Sequence, residues 1–96
     1  MILSFGDRAT EELFHGGMRS GRHRFPPDLT RVAVRKLDIL DAASALQDLA
    51  SPPGNRLEAL RGDLRGCHSI RINSQFRLVF RWTPDGPCEV RILDYH

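Results

Sequence analysis

Between residues 69 and 82 the chain reads S-I-R-I-N-S-Q-F-R-L-V-F-R-W, with apolar and basic residues alternating along it. Successive side chains of a strand point to opposite faces, so a period of two predicts strands. Ile70 and Ile72 share one parity of a first strand, and Phe76, Leu78, Phe80 and Trp82 share one parity of a second. Arg71, Arg77 and Arg81 take the opposite parity. The stretch predicts a hairpin with one oily face and one arginine face.

The same pattern sets the register. A turn of Asn73 and Ser74 alone would put Ile70 against Arg77. A connection of Asn73-Ser74-Gln75 instead pairs Ile72 with Phe76, Arg71 with Arg77 and Ile70 with Leu78. A slip of one residue turns a whole strand over, so the second register is expected. Asparagine suits the positive-φ position of such a loop. Arginines directly opposite each other repel by roughly a few tenths of a kcal/mol or more, so an anionic group is expected to compensate them.

The rest of the chain predicts helices and two flanking strands. Ile2, Leu3 and Phe5 read as a short opening strand. Asp7 caps a short helix that ends near His15 and Gly16-Gly17. Residues 16–24, G-G-M-R-S-G-R-H-R, have no apolar period and read as a mobile basic loop. Pro27 can open a helix whose apolar spacing runs through Leu29, Val32, Ala33, Leu37 and Leu40. Asp41 is expected to break it or to cap a second short helix over residues 42–49, with a firm stop at Ser51-Pro52-Pro53-Gly54-Asn55. Leu57, Glu58 and Leu60 form a short extended segment before a turn at Gly62-Asp63.

A turn over residues 83–87 leads to a last strand over residues 89–93. With Val90 in the core, Trp82 pairs with Val90, Phe80 with Ile92, Arg81 with Arg91 and Arg77 with Tyr95. The expected fold is α+β, one domain over residues 1–96. An antiparallel meander packs on one face against the helices, and its other face is too polar for a second core.

Composition narrows the function. The 96 residues suffice for one small core, and a net charge of +2 excludes a broad polycation. Of 14 basic residues only Lys36 is a lysine, and arginine favours forked recognition of phosphate. Cys67 and Cys88 make no disulfide framework, and the strand between them argues against pairing. A reducing cytoplasm fits, with no signal peptide and no membrane-spanning run. No spacing suggests a zinc site, no cofactor is implied, and His68 reads as a core-edge histidine.

The run Asp94-Tyr95-His96 places three groups able to transfer or share protons together. RNA cleavage by transesterification needs a base for the 2′-OH, an acid for the leaving 5′-oxygen and donors for the phosphorane charge. Histidine, carboxylate and tyrosine suit the first two, and Arg71 and Arg77 the third.

The run N-R-L-E-A-L-R-G-D-L-R-G-C-H-S-I-R-I-N-S-Q-F-R-L-V-F-R-W, with V-R-I-L-D-Y-H after it, resembles HigB-type toxins of bacterial toxin–antitoxin modules, in the RelE superfamily. The resemblance implies a RelE-like sheet backed by helices and a ribosome-dependent mRNA endoribonuclease that cleaves in the A site. It implies a HigA-like helix-turn-helix antitoxin as partner, DNA contact only through that antitoxin, and no membrane. By resemblance Arg71 and Arg77 hold the scissile phosphate, and Asp94, Tyr95 and His96 complete the active site. Relatives often carry histidine at the position of Glu58 and lysine at that of Arg61, which leaves the base between Glu58 and His96. Arg61, Arg65, Arg81 and Arg91 are the further RNA-binding candidates. A toxin that occupies the A site without cleaving, a gyrase-targeting toxin of the same fold and a corepressor remain as alternatives.

Overall fold

A computed structural model of the chain describes residues 1–16 and 25–94. Apart from Gly16, the basic loop expected at residues 16–24 lies outside the described residues, as do Tyr95 and His96. Helix α1 spans Arg8–Gly16 and α2 spans Pro27–Ala42. Strands β1 (Glu58–Ala59), β2 (His68–Arg71), β3 (Phe76–Thr83) and β4 (Gly86–Asp94) form a four-stranded sheet in the order β1-β2-β3-β4. Every neighbouring pair is antiparallel.

The helices form where the sequence supplies caps and a stripe. Asp7 Oδ1 accepts the Thr10 N–H at 2.8 Å at the start of α1, which Asp7 was expected to cap. Pro27 opens α2 where a missing N–H is harmless. Leu29, Ala33, Leu37 and Leu40 then recur on one side and are buried. They meet Ile70, Ile72, Leu78, Phe80, Val90 and Ile92 from the sheet. Each fully buried Leu or Ile contributes about 1.5–3 kcal/mol relative to exposure, so this cluster dominates the fold.

α2 ends at Ala42, one residue past Asp41, whose Oδ1 accepts the Ile2 N–H at 2.8 Å instead of capping a second helix. The second helix expected over residues 42–49 is replaced by a 3-10 turn at Leu46–Ala50. Asp48 Oδ2 reaches back to the N–H groups of Ser44 and Ala45, at 2.9 and 3.0 Å, and satisfies them without helix.

The hairpin of β2 and β3 has the expected register, with Ile70 opposite Leu78 and Arg71 opposite Arg77. The register expected for β4 is wrong by two residues. Leu78 pairs with Ile92, Arg77 with Leu93 and Val79 with Arg91. The turn is tighter than the composition of residues 83–87 suggests: Thr83 pairs with Gly86, and Thr83 Oγ1 donates to the Gly86 carbonyl at 2.7 Å. Between Val79 and Arg81 the pairing shifts by one more residue, so Arg81 faces Cys88 rather than Arg91. This β-bulge centres on Glu89, whose φ of 54° lies in the left-handed region.

Two further expectations are corrected. The opening segment makes only a single parallel bridge, Phe5 to Val90, and clasps β4 through Leu3 N–H to the Pro87 carbonyl (2.8 Å) and Gly6 N–H to the Val90 carbonyl (2.8 Å). The arginine face also has a core of its own. Leu60, Cys67 and Val79 are buried there with Leu64 and Leu93 packed on them. The β1–β2 connection curls over that face through a 3-10 turn at Gly62–Leu64, and Val79 and Leu93 share the parity of Arg77 and Arg91.

Candidate nucleic-acid interface

Arg71 and Arg77 face each other across β2 and β3, next to the hairpin loop. Asn73 Oδ1 accepts the N–H groups of Gln75 (2.8 Å) and Phe76 (2.7 Å), an Asx-type turn. No residue of this loop has positive φ, so asparagine serves through its side chain rather than through its backbone. Arg71 Nε donates to the Asn73 carbonyl at 3.2 Å.

Arg77 is held on several sides. Its Nε donates to Ser69 Oγ at 2.6 Å, and its Nη2 donates to the Arg56 carbonyl at 2.6 Å. The Glu58 carboxylate lies 3.3 Å from the same Nη2. The Arg77 side chain is only 12% exposed, whereas that of Glu58 is 52% exposed. The anion expected beside the paired arginines is therefore supplied in part by the chain itself, from β1.

Arg56, Arg71, Asn73, Ser74 and Arg77 line one open depression of about 200 Å³. The sequence reading missed Arg56. It follows a 3-10 turn at Pro53–Asn55 and has φ 47°, in the left-handed region. Asn55 beneath it is fully buried and donates to the carbonyls of Leu49 (3.2 Å) and Ser51 (3.3 Å). Lys36 Nζ donates to Asn55 Oδ1. Burial, and then the neighbouring Arg35, hold the Lys36 amine below its ordinary pKa. The sequence signal was the P-P-G-N turn, which marks a sharp bend but not the residue it presents.

The other candidates are distributed. Asp94 stands opposite Phe76 and accepts a hydrogen bond from Gln75 Nε2 at 2.9 Å. It shares the parity of Ile92, toward the helices, and so starts from the face opposite to Arg77. The pairing expected between Arg77 and Tyr95 is replaced by Arg77 with Leu93. Arg61 and Arg65 are exposed on the β1–β2 connection, and Arg61 lines an open groove beside Glu58, Ala59 and Leu60. Arg81 and Arg91 open onto a separate pocket of about 130 Å³ together with Asp63 and Glu89. There Arg81 Nε lies 3.3 Å from Glu89 Oε2. The structure brings Glu58, Arg71 and Arg77 together, adds Arg56, and sets Arg81 and Arg91 apart. Among the described residues no group of His, Cys, Asp or Glu could hold a metal ion, Cys67 and Cys88 are free thiols, and no helix is long and apolar enough to cross a membrane.

Known proteins share the family and the fold of this chain. The family model for the RelE-like toxin of the type II toxin-antitoxin system HigB matches residues 3–96. Toxin HigB-1 of Vibrio cholerae serotype O1 is 45% identical over 97 residues, covering 100% of this chain and 98% of that protein. An uncharacterised protein of Haemophilus influenzae is 41% identical over 59 residues, covering 62% of this chain and 58% of that protein. A chain of the YoeB-YefM complex from Staphylococcus aureus shares the fold, with TM-score 0.60 at 17% identity over 100% of this chain and 98% of that one.

Proposed function

This chain belongs to the RelE-like HigB family of type II toxins, and on that premise we propose that it is an endoribonuclease that cleaves mRNA in the ribosomal A site and so arrests translation. The observation that carries the reading is the pair Arg71–Arg77, cross-strand partners at one depression, with Arg77 fixed by Ser69 and by the Arg56 carbonyl. A guanidinium fixed in advance needs little reorganisation to meet charge that develops on a phosphate.

In the proposed reaction the 2′-oxygen attacks the adjacent phosphorus, and its proton passes to a base. The bond from phosphorus to the 5′-oxygen breaks, and an acid returns a proton to that oxygen. Arg71 and Arg77 neutralise the phosphorane between these steps. Glu58 Oε1 lies 3.3 Å from Arg77 Nη2, so its carboxyl group is already engaged by that guanidinium. We assign it to orienting Arg77 and assign the proton transfers to His96, with Tyr95 and Asp94 in support. Arg61 and Arg65 are assigned to RNA on the β1 side. The toxin acts in the cytoplasm as one domain, and its neutralising partner is a HigA-like helix-turn-helix antitoxin that alone brings it to DNA.

Primer extension on translating ribosomes tests this. Purified protein should produce new mRNA 5′ ends within A-site codons, and Arg77→Ala or removal of residues 94–96 should abolish them. Arrest without new ends would instead support a second reading, a toxin that only occupies the A site. The contact of Glu58 with Arg77 favours that reading, because it already engages the cation meant for phosphate.

A further inference from the structure

We propose that Arg56 is a third phosphate-binding cation of this site, so that the depression takes two successive phosphates of single-stranded RNA rather than one. The proposal rests on the RNA-binding reading above and extends it to a residue outside the paired arginines.

Arg56 sits in left-handed backbone, which residues other than glycine and asparagine adopt at a cost. The conformation is imposed from below: buried Asn55 ties the preceding turn to Leu49, Ser51 and Lys36. Its effect is to give one residue two parts in the site. The backbone carbonyl of Arg56 receives Arg77 Nη2, while the residue itself lines the depression with Arg71 and Arg77. A turn built only to present a carbonyl would be served by glycine, so an arginine here is accounted for by its side chain.

The charges differ in their commitments. Arg77 is shared among Ser69, Glu58 and the Arg56 carbonyl, and Arg71 is bound to the Asn73 carbonyl. Arg56 is an exposed residue and makes no ion pair among the described residues. The three arginines come from three successive parts of the sheet: the lead into β1, then β2 and β3. Arg71 and Arg77 are direct partners and converge on one phosphate. Arg56 flanks them from the β1 side, where the neighbouring phosphate of a strand crossing the sheet would lie.

The test is fluorescence anisotropy with a short fluorescein-labelled single-stranded 2′-O-methyl RNA, which lacks the hydroxyl needed for cleavage, titrated over a range of salt concentrations. Each phosphate contact to a single strand contributes about 0.7 to the slope of log affinity against log salt. Arg56→Gly keeps the left-handed backbone, and so the seat for Arg77, while removing the cation. It is expected to lower the slope by about 0.7, with Arg56→Lys restoring it and Arg56→Gln behaving like the glycine variant. A wild-type slope in both Arg56→Gly and Arg56→Gln overturns the proposal. Arg71→Gln separates the two claims. If it lowers the slope while the Arg56 variants do not, only the third cation fails. If no variant changes the slope, the RNA-binding reading of the depression fails with it.

Discussion

At the scale of single residues, the polar atoms of the Asn55 side chain are all engaged by other residues of the protein, and Lys36, itself half-buried, supplies the charge in that arrangement. Because burial and Arg35 lower the Lys36 pKa from 10.5, the unfolded chain keeps this proton to higher pH than the folded one. Within the window between the two values, rising pH removes the proton from the folded state first and adds stability; below the window both states are protonated and the cost of burying the charge is fully present. The stability of the wild type relative to Lys36→Met is therefore expected to increase as pH climbs from neutral toward 10.5, measured by urea unfolding. Arg77 gives a second expectation. A lysine keeps the charge but lacks the planar fork that reaches Ser69 Oγ and the Arg56 carbonyl together. Loss of one preorganised donor costs about 10²–10³ in rate, so Arg77→Lys should slow mRNA cleavage on ribosomes by about 10²-fold. Arg71 and Arg77 were legible in the sequence because strict alternation fixes both their face and their partner. Arg56 was not, because its position depends on a bond between Lys36 and Asn55, which alternation does not encode.

At the scale of elements, the tip of the β3–β4 hairpin depends on one glycine. Gly86 has φ 135°, and a Cβ there would lie 2.5 Å from the Met1 carbonyl oxygen. Gly86→Ala is expected to cost about 2–3 kcal/mol in urea unfolding, from strain and displacement of the opening segment. Gly54→Ala is the control: a Cβ there meets nothing within 4 Å, and a surface change of this kind stays within about 0.5 kcal/mol. The β2–β3 register was readable because two apolar strands alternate cleanly on either side of a short polar loop. The β4 register was not. Its turn is shorter than its Pro and Gly content suggests, and the bulge falls on a glutamate, a residue type that gives no signal for left-handed backbone. The short helix expected after α2 failed for a related reason, since Asp48 offers the backbone a local alternative.

At the scale of the whole molecule, the sheet carries a core on each face, a large one against the helices and a small one under the β1–β2 connection. The small core, with Val79 between Arg77 and Arg81 on β3, divides the arginine face into two charged regions. Sequence parity showed the arginines on one face but not this division, because the covering residues Leu60, Leu64 and Cys67 belong to a connection with no strand period. The division predicts a separation of effects. Gln at both Arg81 and Arg91 should raise the KM for ribosome-bound mRNA with kcat unchanged, through weaker long-range attraction to RNA, whereas Arg71→Gln should lower kcat itself. Steady-state cleavage on programmed ribosomes distinguishes the two. The extra residue at Glu89 has a further consequence for how such a chain can vary over evolutionary time. Pairing on the Arg77 side of it follows one register, and pairing on the Gly86 side follows another. The bulge thus works as a joint between two phases of the same hairpin. A residue gained or lost near the tip is expected to be taken up at Glu89, the outer hairpin changing length while the half that carries Arg77 keeps its pairing with Leu93.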